Sequence, residues 1–589
     1  MKDFLKQVGA TLVGLVIFCV VAFFLGLVGL VGMMSSAESS KSISDNSVLV
    51  LQLNGPLSEQ GGSTVFGELS EGASLSLSDM LSAIRKAKTD DHVKGIYVEA
   101  GNFNATPAQA TELRDALADF KKSGKWIIAY ADNYDAFTYY IATAGDKIYI
   151  NPVGALDWHG FAGQRIYFKG LADKVGISIV PFKCGKYKSA LETFTNTKMS
   201  EDDRRQTTRY VQGLWNEVVG AVAQSRHISA DTLNAYADRF VGLEDTRNLL
   251  KYKLVDGLLY SDQLKATVKK QMGLDSTATI NQVSPADMAA LPDKSKGDEV
   301  AVYYAEGDIV DSADPIAQVR GSQTIVGDDV VSDLEQLAAD DDVKAVVLRL
   351  NTGGGSGFAS EQIWHALMRL RAKKPVVVSM SGMAASGGYY VSAAANYVVA
   401  EPTTITGSIG VFAAHEDRSK LFNDKLGITS DAVVTNRNAL LGSQITPLTT
   451  EQAALMQASV DHFYTLFKRR VAQGRHLSME RVEQLAQGHV YLGTDAKQLK
   501  LVDALGGLDV AVAQAARLAK LDKWHTVSYP EVEDVWSQLL DIASGTTGSK
   551  LDEQLRTTLG VYYTPFMQLR SLDGMKGVQA RLPYYLIIK

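Results

Sequence analysis

The chain has 589 residues, 46% of them apolar and 21% charged, with a formal net charge of −7. That composition excludes a disordered polar chain and supplies enough apolar surface for two or three domains. With no concentrated basic face, it also argues against nucleic acid as a partner.

Residues 8–34 carry no charge and follow Lys2 and Lys6. About 20 apolar residues rising ~1.5 Å each cross the ~30 Å of bilayer hydrocarbon, so the run is long enough for a transmembrane helix. The lysines before it predict a cytoplasmic N-terminus, with the rest of the chain on the far side. A cleavable signal peptide is the rival, because Ser35-Ser36-Ala37 supplies small residues, but such a peptide normally has an apolar core of about 7 to 15 residues. Cys19 lies inside the run, so it cannot form a disulfide with Cys184 in the folded domains.

Beyond this segment the chain repeats itself. DDHVKGIYVEA at 90–100 resembles DDDVKAVVLRL at 340–350, an offset of 250, and YYIATAGDKIYINP at 139–152 falls on YYVSAAANYVVAEP at 389–402 with the same offset. VAQSRHIS at 222–229 matches VAQGRHLS at 471–478, and KLVDGL at 253–258 matches KLVDAL at 500–505. Matches in one order and at nearly one spacing mark a tandem duplication. Each copy reads as an apolar strand, a helix, a second strand, a small-residue turn and a further helix. Unalternated apolar strands separated by helices predict a parallel sheet covered on both faces, with right-handed crossovers. The expected organisation is α/β: residues 1–45 as N-terminus and membrane anchor, 46–295 and 296–522 as two similar domains, and 523–589 as a peripheral extension.

The copies differ where chemistry would sit. The second has Asn351-Thr352-Gly353-Gly354-Gly355 after a strand, where the first has Gly101-Asn102-Phe103-Asn104-Ala105. Consecutive glycines let backbone N–H groups point into a cavity, as an oxyanion requires, although a tight turn or a phosphate cradle has the same pattern. In MAASGGYY, at 383–390, Ser386 stands among small residues where the first copy has Ala136. It reads either as a helix N-cap or as an exposed nucleophile, and ASGGY is not the G-x-S-x-G elbow. Among the histidines, His365 falls within a helix, His415 in a polar segment, and His227 and His476 recur in both copies at RH(I/L)S turns, which suits a shared structural role. A lysine is the better candidate base. PFKCGKYKSALETFT at 181–195 faces a lysine-free VVTNRNALLGSQITP at 433–447 in the other copy. Desolvating Lys188 among its small and apolar neighbours would lower its pKa toward neutrality, although from the residues alone it reads more readily as an ordinary surface lysine, as Lys183 and Lys186 do. No histidine and carboxylate spacing suggests a metal site, and no cofactor is implied.

The segment 385–410, ASGGYYVSAAANYVVAEPTTITGSIG, closely resembles the long, tandem-domain form of the bacterial signal peptide peptidase A family. The NTGGG loop, GKYKSALETFT, the anchor and the duplication share that resemblance. It implies two ClpP/crotonase-like domains of ββα spiral units and a serine peptidase with a Ser/Lys dyad acting through an acyl-enzyme. By resemblance, Ser386 is the nucleophile, Lys188 the general base, and Ser408, replaced by Trp158 in the first copy, orients the lysine. Backbone amides of Gly353 or Gly354 and of Gly387 form the oxyanion hole. The family implies cleaved signal peptides and other apolar peptides as substrates, a homotetramer, and anchoring in the bacterial inner membrane with the catalytic domains on the periplasmic side. A crotonase-like acyl-CoA enzyme and an inactive membrane scaffold are the alternatives.

Overall fold

The computed structural model describes residues 43–61, 75–292, 297–312, 323–531 and 577–582, together with Gly14. The expected anchor therefore lies outside the described residues apart from that one glycine. Among the described residues no helix is long and apolar enough to cross a membrane.

In the first copy, β1 (Ser47–Ser58), β2 (Val93–Asn104), β3 (Trp126–Ala131) and β4 (Lys147–Ile150) lie parallel, with Leu49 beside Ile96, Ile96 beside Ile127 and Ala129 beside Ile148. Three shorter strands complete a seven-stranded sheet. The crossover helices α1 (Leu77–Thr89) and α2 (Pro107–Lys121) start where the sequence supplies caps. Ser76 accepts from the Asp79 amide, and Thr106 and Gln109 form a capping box in front of Pro107. Leu77, Met80, Leu81 and Ile84 of α1 then face the sheet, in one core with Leu49, Val98 and Phe120. Each such residue withdrawn from water contributes about 1.5–3 kcal/mol. Next come α3 (Ala136–Ala142), β5 (Ser178–Lys183) and the long α4 (Glu201–Arg226).

The second copy begins with β6 (Asp298–Glu306) and β7 (Asp308–Val310), then β8 (Val343–Thr352), β9 (Gly354–Ser356), α5 (Gly357–Arg371), β10 (Val376–Ala385), α6 (Gly387–Ser392) and β11 (Tyr397–Ala400). There follow β12 (Ile405–Gly407), β13 (Phe412–Asp417), α7 (Thr450–Arg475), β14 (Val490–Leu492) and α8 (Leu508–Leu518). The starts of β8, α5, β10 and β11 stand 250 residues after those of β2, α2, β3 and β4. β6, β8, β10 and β11 are parallel, and α8 covers one face of their eight-stranded sheet through Leu508, Ala511, Val512 and Ala515.

A third sheet joins the copies. Its order is Thr324–Val326, β7, β9, β16 (Gln579–Arg581), β13 and β5, so a strand of the first copy pairs antiparallel with β13 of the second, Lys183 beside Phe412. The expectation of a peripheral extension after residue 522 needs correction at two places. β15 (Trp524–Tyr529) pairs with β6, and β16 inserts between β9 and β13 beside the glycine loop.

Candidate active site

Ser386 joins β10 to α6 at φ 55° and ψ −111°, a left-handed conformation that residues with a Cβ rarely adopt and that costs on the order of 1–3 kcal/mol. The small residues around it make this turn possible. A Cβ on Gly388 would stand 2.6 Å from Thr352 Cγ2, and one on Gly387 would stand 2.7 Å from Ser360 Oγ. Ser386 occupies the N-cap position of α6, yet its side chain makes no capping bond. Lys188 Nζ donates to its Oγ instead, at 2.8 Å.

Lys188 comes from the first copy, in the loop after β5. Tyr187 N donates to Gln487 O at 2.9 Å, and Gly488, at φ +74°, lies so close that a Cβ there would meet Lys188 N at 2.7 Å. The loop is thus seated on the second copy within one chain. Helix α4 holds it from behind: Ser189 Oγ donates to Asp203 at 2.6 Å, and Gln206 donates to Tyr187 O while accepting from Val490 N. Lys188 is 1% exposed, and burial pushes its ammonium well below the usual lysine range. Its Nζ also donates to Ser408 Oγ at 2.9 Å and to Ser408 O at 3.2 Å. Ser408 is itself left-handed, at φ 51°, with its amide held by His489 O at 2.7 Å. Ser386, Lys188 and Ser408 thus meet in one buried cluster.

The glycine loop lies alongside. A Cβ on Gly354, at φ +98°, would stand 2.7 Å from Gly387 N and 2.0 Å from Ala580 O, so only glycine permits this approach. The Gly354 amide donates to Thr352 Oγ1 at 3.0 Å, a bond with which an oxyanion would compete. Gly387, first in α6, needs a partner for its amide from outside the helix. Gly353 carries the tail: Leu582 N donates to Gly353 O at 2.6 Å, and the Leu582 side chain is buried with Ala385, Ile405, Leu214 and Leu492.

None of the four histidines singled out in the sequence hydrogen-bonds to Lys188 Nζ. His365 is exposed on α5, while His227 and His476 end α4 and α7 as left-handed C-caps at φ 56° and 52°, the shared structural role expected of them. His415, buried in β13, has its imidazole pushed below the usual range by burial. Among the described residues no group of three or more histidine, cysteine or carboxylate side chains is placed to hold a metal ion.

Sequence reasoning missed three features around this site: the Asp203 and Gln206 brace, the tail strand, and a buried ionic cluster behind the glycine loop. Asp203 reads in the sequence as an ordinary first-turn acid of α4. The cluster left one signal, a lone Arg349 in the otherwise apolar run AVVLRL at 345–350.

The profile of peptidase family S49 matches residues 119–275 and 368–522, and a Clp protease profile matches residues 312–405. The chain is 38% identical to Protease 4 of Salmonella typhi over 495 residues, 82% of this chain and 78% of the relative. It is 29% identical to the chloroplastic serine protease SPPA of Arabidopsis thaliana, covering 91% of this chain and 77% of that one. A protein of Enterococcus faecium described as a putative signal peptide peptidase SppA is 30% identical over 38% of this chain and 63% of its own length.

Proposed function

This chain belongs to peptidase family S49 and is a serine peptidase, and from that premise we propose that Ser386 and Lys188 form its catalytic dyad. The observation that carries the reading is the 2.8 Å contact between Lys188 Nζ and Ser386 Oγ, made by an amine that burial holds neutral more readily than a solvated lysine. Neutral Lys188 takes the proton as Ser386 Oγ attacks the peptide carbonyl, and Ser408 keeps the amine aimed. The oxyanion that develops meets the amides of Gly387 and of Gly353 or Gly354. Lys188 returns its proton to the leaving amine. The resulting acyl-enzyme is then hydrolysed by water, with the lysine again as base.

The substrate is an extended apolar peptide, with released signal peptides the proposed physiological class, in keeping with the name of the Enterococcus faecium relative. The tail supports this reading: β16 runs antiparallel to β9, Ala580 opposite Gly355, while Leu582 fills an apolar pocket next to the nucleophile strand. A peptide bound the same way would present its backbone to the glycine loop. A neighbouring cavity of about 370 Å³ shares Phe161 and Val211 with that pocket. In the proposed setting residues 8–34 anchor a homotetramer in the inner membrane, with the catalytic copies on the periplasmic side, where apolar peptides leave the lipid.

The test is cleavage of a synthetic signal peptide by the full chain in detergent, comparing wild type with Ser386→Ala and Lys188→Ala. Both variants are expected to fold and to cleave nothing above background. Turnover by purified Lys188→Ala would overturn the dyad.

A further inference from the structure

The first copy reaches the second at another point, behind the glycine loop. Glu59 follows β1 and is 2% exposed. One of its carboxylate oxygens accepts from Arg349 Nε of β8 at 2.8 Å. The other accepts from Gln109 of α2 at 2.7 Å, from Asn351 of β8 at 3.4 Å and from the Ser381 hydroxyl of β10. Asn351 in turn accepts from the Met383 amide at 3.2 Å, and its Nδ2 donates to Glu306 at 3.0 Å. One carboxylate therefore joins the strand that leads into Gly353 to the strand that ends at Ser386.

The pattern belongs to one copy only. At the offset of 250, Arg349 corresponds to Glu99, which is exposed, and Ser379 and Ser381 correspond to Ala129 and Ala131. Arg349 also binds Glu112 at 2.6 Å and Ser379 at 2.9 Å. That part of the cluster suffices to explain a buried ion pair between the copies. Glu59 differs because it reaches Asn351 and Ser381, closer to the ends of the two strands that lead into the site.

We propose that Glu59 is a positioning residue for peptide hydrolysis, supplied by the first copy to hold the glycine loop and Ser386 of the second in register. This rests on the reading of Ser386 as nucleophile. Small displacements of a catalytic group are costly, since a shift of about 1 Å can lower turnover about 100-fold. Glu59→Gln keeps the shape but offers Ser381, Asn351 and Gln109 one accepting oxygen and one donating amide NH2 instead of a carboxylate.

The experiment uses the full chain in detergent and a short chromogenic peptide, with active sites counted by exhaustive fluorophosphonate labelling. Per labelled site, Glu59→Gln is expected to lower kcat about 10- to 100-fold with KM within about twofold, the signature of an interaction that matters in the transition state. Ser381→Ala installs the residue the first copy already has and removes only the contact to the nucleophile strand. It is expected to fold and to lower kcat about three- to tenfold, and it decides the matter if Glu59→Gln does not fold. Wild-type kcat per labelled site in Ser381→Ala, or in a folded Glu59→Gln, would overturn the proposal, as would a loss confined to melting temperature. Ser386→Ala, measured in parallel, separates the two readings: activity there removes the nucleophile assignment, whereas a dead Ser386→Ala beside an unimpaired Glu59→Gln removes only the role of Glu59.

Discussion

The two copies meet the same problem after the equivalent strands β3 and β10 and resolve it differently. In the first, Asp135 at φ −82° accepts from the amides of Phe137 and Thr138, so α3 starts on a satisfied cap. In the second, the turn carries Ser386 in the left-handed region with no cap bond, and α6 starts on a strained residue whose hydroxyl faces a lysine. One copy has relaxed the turn for stability, while the other keeps strain and unsatisfied capacity at the proposed dyad. The reverse holds for the lysine loop. In the first copy residues 184–195 are largely packed away and deliver Lys188 to the second, whereas residues 429–441 of the second are almost wholly exposed. Neither copy contains the site alone.

The sharpest way to break this contrast is at Gly354, whose place in the first copy is taken by Asn104. A methyl group there would have to occupy space 2.7 Å from Gly387 N, at a φ of +98°. Gly354→Ala is expected to lower kcat at least 100-fold, the scale of losing an oxyanion donor. Peptide turnover per folded molecule measures it, with circular dichroism reporting the fold. A smaller loss is expected at Ser408, where the first copy has the buried Trp158, bonded to Leu233 O. Ser408→Ala leaves its carbonyl still accepting from Lys188 but removes the hydroxyl contact. About a 10- to 100-fold fall in kcat is expected, and an unchanged kcat would show that the carbonyl suffices.

As the proposed base, Lys188 would couple activity to pH and to stability with definite signs. Its folded pKa lies below the unfolded value of about 10.4, so the unfolded chain binds more protons and folding stability rises with pH across that interval. The neutral amine is present above the lowered pKa, so the proposed mechanism predicts that turnover is lost as pH falls through it. Lys188→Met is therefore expected to abolish hydrolysis while raising the melting temperature, with a larger gain at pH 7 than at pH 10, because each unit of pKa separation is worth about 1.4 kcal/mol. Thermal melts of both proteins at the two pH values check it. Equal melting temperatures at pH 7 would mean that the buried amine carries no such cost.

How much of this was legible beforehand depended on range in the sequence. The parallel strands, their helices and caps follow from local apolar runs and from Ser76, Thr106 and Pro107. The duplication, together with the family resemblance, was enough to single out Ser386, Lys188 and Ser408. What local pattern could not supply was pairing between distant segments. Nothing in SIVPFK announces that β5 leaves its own sheet for that of the second copy. The short run QAR at 579–581 has no strand signal, because its place is fixed by the open edges of β9 and β13 rather than by its own propensity. The partners of Arg349 are likewise hundreds of residues away in Glu59 and Glu112.

The smallest expected effect lies in the relaxed copy and tests whether the division of labour is real. Asp135→Ala removes two 2.8 Å hydrogen bonds donated by the Phe137 and Thr138 amides, and half of a capping box with Thr138. Loss of an N-cap costs about 0.5–2 kcal/mol, which chemical denaturation resolves as a lower midpoint with an unchanged slope. Turnover should stay at the wild-type value, because the elements that seat Lys188 are β5 and α4 rather than α3. If kcat also fell, the first copy's turn would be communicating with the site, and the strained and relaxed turns would be parts of one device rather than alternatives.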